Sequence, residues 1–128
     1  QHVTIVSFGI GMTYAHAAAD KLAADGIEAE IIDLRTIRPM DLETDLASVK
    51  KTNAVVIVEQ GARGTSYGGW LADEIQRRLF DWLDQPVQRV TGGEASPSIS
   101  KVLERAAIAR TEEVVTAFEA LKQNMGGN

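Results

Sequence analysis

The chain has 128 residues, of which 45% are hydrophobic and 24% charged, and this is the size and composition of one globular domain with a single core. No apolar run approaches the ~20 residues of a membrane span, and a net charge of −5 without a long run of Lys or Arg does not favour a membrane or nucleic acid as partner. Cysteine is absent, which excludes disulfides and thiolate chemistry and is compatible with a reducing compartment.

The first third of the chain predicts a strand, a helix and a second strand. Residues 3–8 are β-branched and apolar, as in a strand buried on both faces, and a turn containing Gly9 and Gly11 ends them. Helical spacing of small residues follows as far as Gly26, which has the position of a C-terminal cap. Residues 28–34 predict the second strand. The expected buried face of the first helix consists of Ala15, Ala18, Ala19 and Leu22.

The middle of the chain predicts a second helix and a third strand. Pro39 keeps Arg38 out of the helical region, so the connection after the second strand is expected to be irregular. Asp41 is expected to cap a helix that ends near Asn53, and residues 54–59 predict another buried strand. The apolar stripe of this helix is Leu42, Leu46 and Val49.

A glycine-rich loop over residues 61–64 leads into a third predicted helix, with Thr65 or Ser66 as its N-cap. Pro86 then restarts the chain as an extended segment that covers residues 87–91. The apolar face of the third helix is expected to contain Leu71, Ile75, Leu79 and Trp82.

Two further helical segments are predicted near the end. A short one beyond Pro97 is expected to pack through Ile99, Val102 and Leu103, and a longer one begins at Thr111. The buried face of the longer helix is expected to contain Val114, Val115, Phe118 and Leu121.

Strands that alternate with helices predict a parallel sheet covered on both faces, because right-handed crossovers place the helices there. The expected class is α/β, with three layers and a mostly parallel sheet of four strands. Residues 1–121 form the predicted domain, and the polar residues 122–128 are expected to be a flexible tail. Since the sheet is small and the chain begins with Gln1, we expect it to be a fragment of a longer protein.

The turn at Gly9 and Gly11 partly matches a dinucleotide-binding fingerprint. It lies between a strand and a helix, and Asp33 follows about twenty residues further on. Tyr14 occupies the position where the fingerprint has its third glycine. We therefore favour a steric role for these glycines and keep nucleotide binding as the alternative.

The second glycine loop could present free backbone N–H groups to an anion, since it lies between a strand and a helix. No lysine follows its glycines, so it is not a phosphate-binding Walker loop, and Glu59 next to the helix start would repel a phosphate. A turn that allows close packing against a neighbouring element or subunit is favoured.

Arg35 and Arg38 lie after the second strand, at the edge where open α/β sheets bind ligands. They could bind a carboxylate or phosphate, contact another subunit, or pair with Asp33, Asp41 or Glu59 to hold their own loop. Loop anchoring and an interface contact are equally favoured, ahead of a substrate site.

No catalytic set is visible. His16 is expected on a solvated helix flank without a second group aimed at it, and the serines have no nucleophile-elbow pattern. Tyr67 and Trp70 lie one helical turn apart behind the glycine loop, which is typical of core or interface anchors. The residues predicted to contact another subunit are Arg35, Arg38, Arg63, Tyr67 and Trp70.

Four segments taken in order resemble one known family. They are IDLRTIRPMD at residues 32–41, AVVIVEQG at 54–61, PVQRVTG at 86–92 and KVLE at 101–104. Together they are similar to the carboxyl-terminal transketolase-type domain of E1 beta subunits of 2-oxo acid dehydrogenases, the group that acts on pyruvate, branched-chain 2-oxo acids or acetoin. Transketolase and 1-deoxyxylulose synthase share this domain more distantly.

The resemblance implies a parent enzyme that uses thiamine diphosphate and magnesium to decarboxylate a 2-oxo acid and passes the acyl group to lipoyl-E2. It implies an α2β2 assembly in which the alpha subunit and the amino-terminal domain of beta hold the cofactor, so this chain is expected to contain no catalytic, cofactor-binding or metal-binding residue. The partners implied are the alpha subunit, a second beta subunit and, in some members, the E2 subunit-binding domain. An extra antiparallel strand before Val3 is also implied, as is a location in the bacterial cytoplasm or the mitochondrial matrix.

The chain departs from the family pattern at Gln60, where a second acidic residue is usual, at residues 62–69 and at residues 94–99. These differences leave the 2-oxo acid open. The first hypothesis is thus an assembly domain of an E1 beta subunit. The alternatives are a nucleotide-binding module that uses Gly9, Gly11 and Asp33, and a docking module whose acidic residues attract a basic partner. Those acidic residues are Glu112, Glu113 and Glu119.

Overall fold

The computed structural model describes residues 2–93, 100–102, 105 and 109–125. Strands and helices alternate in these residues, as the sequence predicts. The strands are β1 (Val3–Ser7), β2 (Ala29–Asp33), β3 (Val55–Ala62) and β4 (Gln88–Gly92), and the helices with defined bounds are α1 (Gly11–Ala24), α2 (Leu42–Thr52), α3 (Tyr67–Leu79) and α4 (Thr111–Met125).

The four described strands form one sheet in the order β2-β1-β3-β4, and every pairing in it is parallel. Ile5 in β1 lies beside Ile31 of β2 on one side and Val56 of β3 on the other. The connections reverse direction between β1 and β3, which is the switch point where folds of this type commonly bind ligands. The antiparallel strand expected before Val3 stays a prediction.

Helices cover both faces of the sheet, so the predicted three-layer α/β architecture is confirmed. β1 and β3 lie in the centre, and their alternating side chains enter one core on each face. The core on the α1 and α4 face contains Ile5, Ala15, Ala18, Leu22, Val56, Val114 and Phe118. The core on the α2 and α3 face contains Val6, Leu46, Val49, Ile57, Leu71, Ile75 and Leu79.

The predicted caps of α2 are present. The Asp41 carboxylate accepts a hydrogen bond from the Thr44 N–H at 3.2 Å, and Asn53 closes the helix in the left-handed conformation with φ of 59°. Of the described helices, none combines the length and hydropathy that are required to cross a membrane.

Two packing predictions are wrong. α3 ends at Leu79, and Trp82 lies beyond it with 49% of its surface exposed, because the chain turns before the helical spacing can bring this ring to the core. Val102 is helical as expected but 78% exposed, so it does not pack the short segment onto the domain. Ile99 and Leu103, the other residues of that prediction, lie outside the described residues.

Two details differ from the predictions, namely the end of β3 and the burial of Val115. β3 continues through Gly61 to Ala62, because its pairing with β4 shifts register after Val58 and resumes at Ala62. Val115 is only partly buried, and the side chain of Leu121 lies outside the described residues. α4 runs four residues past the predicted domain boundary, to Met125, and the flexibility of residues 122–128 stays a prediction.

Candidate docking surface at the carboxyl edge of the sheet

The carboxyl edge of the sheet, where the parallel strands end, carries all five residues predicted to contact another subunit. The structure does not bring all five together. Arg38, Tyr67 and Trp70 line one cavity, Arg63 lines a second, and Arg35 lines a third.

Tyr67 and Trp70 form a stacked pair in the first turn of α3. Their ring centroids are 5.2 Å apart and the rings are tilted by 38°. The Tyr67 hydroxyl lies 3.4 Å from both the Ile37 carbonyl oxygen and the Met40 sulfur, and this fixes the start of α3 against the loop after β2. Trp70 keeps 47% of its surface exposed. A large ring that is held in place and half exposed is typical of an interface anchor.

These two rings form one wall of a cavity of about 590 Å³, which we call the aromatic groove. The opposite wall is the loop after β2, which includes the cis Arg38–Pro39 peptide. Most residues that line the groove are apolar, and the polar side chains among them are those of Tyr67 and of Arg38, which is exposed. Its described lining is Ile37, Arg38, Pro39, Met40, Leu42, Tyr67 and Trp70.

Arg35 pairs with an acidic residue of its own loop at the surface. Its Nε lies 3.5 Å from the Asp33 carboxylate, and the arginine side chain is almost fully exposed. An exposed pair of this kind contributes little to stability. Of the partners considered from the sequence, Asp33 is the observed one, while Glu59 pairs with Arg89 instead.

Arg63 does not line the aromatic groove. It lines a cavity of about 660 Å³ between the end of β4 and the first turns of α4. Its carbonyl oxygen accepts a hydrogen bond from Arg89 at 3.1 Å. Arg63 and Trp70 therefore line different cavities of the same edge.

The start of α3 does not offer a free anion site, because the chain fills it with a carboxylate of its own. Glu59 is buried and accepts hydrogen bonds from the Gly68 N–H at 2.9 Å, the Ser66 hydroxyl at 2.7 Å and Arg89 at 3.0 Å. A negative group at a helix N-terminus is stabilised by the helix dipole. The glycine loop is thus a packing turn, as favoured from the sequence.

Gly68 makes this arrangement possible. A Cβ at position 68 would clash with the Glu59 carboxylate and lie 3.0 Å from the Ile57 side chain. Only a residue without a side chain allows the buried carboxylate to reach the helix N–H. Ser66 is the N-cap by position, but its hydroxyl donates to Glu59 and does not cap the helix itself.

Arg89 is the site residue that sequence reasoning missed. It lies in β4 and donates to Glu59, to Ser66 and to the Arg63 carbonyl. The available signal was a single cationic residue inside a predicted strand, Arg89, which follows the strand that contains the carboxylate of Glu59. The sequence does not show that Arg89 meets Glu59, because this depends on β3 and β4 being neighbours in the sheet.

The turn at Gly9 and Gly11 serves close packing. Gly9 has φ of 57°, and a Cβ at Gly11 would clash with the Ser7 hydroxyl and lie 3.1 Å from the Val58 carbonyl oxygen. Ser7 donates to that same carbonyl at 2.8 Å. The helix start therefore packs directly on the β3 backbone, which favours the steric role over nucleotide binding.

Asp45 is a buried carboxyl next to the loop that carries Arg35. Neither of its oxygens has a hydrogen-bond partner among the described residues, and it borders a cavity of about 200 Å³. Burial, with a smaller contribution from the negative charge of Asp41, raises the pKa of the Asp45 carboxyl to about 6.

The acidic residues of α4 are partly engaged. Glu112 lies 3.5 Å from Lys21, and its own backbone N–H together with Lys21 holds the pKa of the Glu112 carboxyl below its usual range. Glu113 accepts from the Arg110 N–H at 2.9 Å, while Glu119 is exposed. The proposal that this helix attracts a basic partner stays a prediction.

Among the described residues no three His, Asp or Glu side chains are placed to hold a metal ion. His16 is exposed, as expected. With Glu59 in place, the start of α3 does not fit a diphosphate. That the cofactor is held elsewhere stays a prediction.

The family is decided by a match over nearly the whole chain. Residues 1–121 match the family model described as transketolase, C-terminal domain. The chain belongs to this family. The resemblance drawn from the IDLRTIRP segment is thereby confirmed.

Relatives of this transketolase C-terminal domain include pyruvate dehydrogenase E1 component beta subunits. The one from Rhizobium meliloti is 48% identical over 118 residues, which are 92% of this chain and 26% of the relative. The mitochondrial one from Dictyostelium discoideum is 40% identical over 121 residues, which are 94% of this chain and 34% of the relative. The chain thus spans about a quarter to a third of the length of these relatives.

Two solved structures share the fold. A split-gene transketolase, described as an inactive beta4 tetramer, superimposes with a TM-score of 0.74 at 28% identity. The match covers 93% of this chain and 38% of the transketolase chain. A 2-oxoglutarate:ferredoxin oxidoreductase from Magnetococcus marinus superimposes with a TM-score of 0.58 at 14% identity over 96% of this chain and 18% of its own. The second likeness shows the fold alone.

Proposed function

We propose that this transketolase C-terminal domain is the assembly domain of the beta subunit of a 2-oxo acid dehydrogenase E1 component. The parent enzyme decarboxylates pyruvate or a related 2-oxo acid with thiamine diphosphate and magnesium, and it transfers the acyl group to lipoyl-E2. The support is the family match together with relatives that are pyruvate dehydrogenase E1 beta subunits.

The observation that carries the assembly role is the contrast within the carboxyl edge. The helix start that could bind an anion is filled by Glu59, whereas the surface beside it is an apolar groove with a half-exposed tryptophan. Interfaces are enriched in such aromatic residues and in arginine, and Arg38 borders the groove. The chemistry present suits contact with a protein surface better than reaction with a small polar substrate.

In this role the domain acts on catalysis by positioning. It holds the subunits that carry the cofactor at a fixed distance, and a displacement of about 1 Å can cost roughly a hundredfold in rate. The Tyr67 contact with the loop after β2 and the Glu59 contact with the Gly68 N–H hold the start of α3, which forms one wall of the groove.

The proposed partners are the E1 alpha subunit, a second beta subunit and the E2 subunit-binding domain. The relatives come from bacteria and mitochondria, so the proposed location is the bacterial cytoplasm or the mitochondrial matrix.

The groove is tested by mutation in the assembled enzyme. The double variant Tyr67→Ala with Trp70→Ala is expected to dissociate the assembly, because it removes both anchoring rings. Size-exclusion chromatography with light scattering measures the mass. Val102→Ala, an exposed apolar residue outside the groove, is the control and should assemble normally. Normal assembly of the double variant would show that the groove is not an interface.

The absence of a cofactor site in the domain is tested by calorimetry. We expect no heat of binding when thiamine diphosphate and magnesium are titrated into the 128-residue chain, and clear binding with the assembled enzyme. Tight one-to-one binding to the chain alone would contradict the proposal.

A further inference from the structure

A second pair of exposed aromatic side chains lies at the opposite end of α3 from the aromatic groove. Phe80 and Trp82 follow the last turn of the helix, with 71% and 49% of their surfaces exposed. They lie at the amino edge of the sheet, where the parallel strands begin. The proposed groove contact does not use them, because α3 separates the two pairs along its whole length.

The loop that carries these rings is held firmly. The Asn53 side-chain amide donates to the Trp82 carbonyl oxygen, and the Asp84 N–H donates to the Asn53 carbonyl at 3.0 Å. Leu83 packs on the core below, and Lys50 lies 5.4 Å from the centre of the Trp82 ring. Because the loop is already ordered, covering its rings costs little conformational entropy, as in the anchors of stable interfaces.

This loop lies close to the start of β1. The Thr4 N–H donates to the Ala54 carbonyl at 2.9 Å, and Ala54 directly follows Asn53, which holds Trp82. Polypeptide that joins β1 from upstream therefore approaches the domain from the edge where Phe80 and Trp82 are exposed.

We infer that Phe80 and Trp82 are covered by an apolar surface of the amino-terminal part of the same beta subunit. This inference rests on the proposed function. The family is described as a C-terminal domain, and the matched part makes up only 26% and 34% of the first two relatives, so most of such a subunit precedes this domain. That polypeptide reaches the domain at the amino edge and is already tethered beside the two rings.

Hydroxyl-radical footprinting tests this inference, because it labels exposed aromatic side chains. Labelling of Phe80 and Trp82 is compared between the 128-residue chain, with its fold checked by circular dichroism, and the full beta subunit without alpha or E2. We expect a several-fold lower labelling rate for both rings in the full subunit, unchanged by dilution. Val102, which is more exposed than either ring, is the internal control and should label equally in both.

Each other outcome overturns the inference. Equal labelling in both proteins means that the upstream polypeptide does not cover the rings. Protection that disappears on dilution assigns them to a second copy, and protection that needs the alpha subunit or E2 assigns them to that partner. The proposed function fails on a different measurement. It is contradicted if the variant Tyr67→Ala with Trp70→Ala assembles normally, and this result does not depend on how strongly Phe80 is labelled.

A variant supplies an independent check. Phe80→Ser with Trp82→Ser is expected to lower the thermal midpoint of the full subunit by clearly more than that of the 128-residue chain, which loses only the contacts that the rings make within the domain. Equal shifts in the two proteins would show that the rings act only within this domain.

Discussion

The two glycine turns at the carboxyl edge look alike in sequence and differ in what fills them. Each follows a buried strand and precedes a helix, which is the arrangement of many anion-binding loops. At Gly11 the helix start packs on the Val58 carbonyl, whereas at Gly68 it receives the buried Glu59 carboxylate. The same pattern of glycines thus permits backbone packing in one turn and an internal ion pair in the other.

The comparison teaches that a helix start next to glycines is not by itself a binding site. What distinguishes the two turns is the side chain that the preceding strand places at the helix start: Ser7, the last residue of β1, in one case and Glu59, within β3, in the other. Substitutions at these positions separate steric from electrostatic contributions.

The largest expected effect follows from removing the carboxylate at the second turn. Glu59→Ala leaves the partly buried Arg89 without its charge partner and the Gly68 N–H without its acceptor, and it should lower the free energy of unfolding by about 3–5 kcal/mol. Urea unfolding followed by circular dichroism measures it. Glu59→Gln keeps an acceptor for the Gly68 N–H, so its free energy of unfolding should fall by less than that of Glu59→Ala. If both variants lose under about 1 kcal/mol, the ion pair is not a structural element.

The steric turn predicts a graded series of alanine variants. Gly11→Ala should lower the free energy of unfolding by about 1–3 kcal/mol, because the new methyl group clashes with Ser7 and Val58. Gly9→Ala adds no clash but keeps a positive φ, so about 1 kcal/mol is expected. Gly64→Ala meets open space and serves as the control. The same urea titration ranks them, and an equal loss at positions 11 and 64 would contradict the packing explanation.

A smaller, pH-dependent effect is expected at Asp45, the buried carboxyl that, unlike Glu59, has no hydrogen-bond partner among the described residues. Its pKa is raised from 3.8 to about 6 in the folded state, so the folded chain binds the proton more tightly than the unfolded chain. The resulting stabilisation is complete below pH 3.8 and is lost as the pH rises through about 6.

Asp45→Asn removes this dependence. At pH 8 the variant should be more stable than the wild-type chain by about 2 kcal/mol, since it carries no buried charge, and near pH 4 the two should be similar. Urea titrations at both pH values measure the difference. Asp81→Asn, at an exposed carboxylate, is the matched control. An equal gain at both pH values would mean that the charge of Asp45 is not the cause.

Periodicity and turn residues were enough to predict most of the fold. The β-branched runs predicted β1 and β3, and the helical stripes predicted the residues that enter both cores. This succeeds because the spacing of apolar residues indicates which faces of an element are buried. The prediction failed at Trp82, where the stripe continued in the sequence after the helix had ended in space.

The candidate site was only partly predictable, for a physical reason. Tyr67 and Trp70 are neighbours within one helix, so their pairing follows from spacing. The approach of Arg38 to them, and of Arg89 to Glu59, joins segments that are far apart in the chain. Such contacts depend on strand order and loop path, which local patterns do not encode.

The Arg89 side chain extends from β4 to the glycine loop, where it donates hydrogen bonds to the Ser66 hydroxyl and the Arg63 carbonyl. Arg89 thus holds the backbone of the loop at Arg63 and the side chain at Ser66, while a side chain added at Gly64 would meet open space. A protein engineer could therefore exchange the outward-facing residues of this loop to alter binding preferences while the underlying domain keeps its shape.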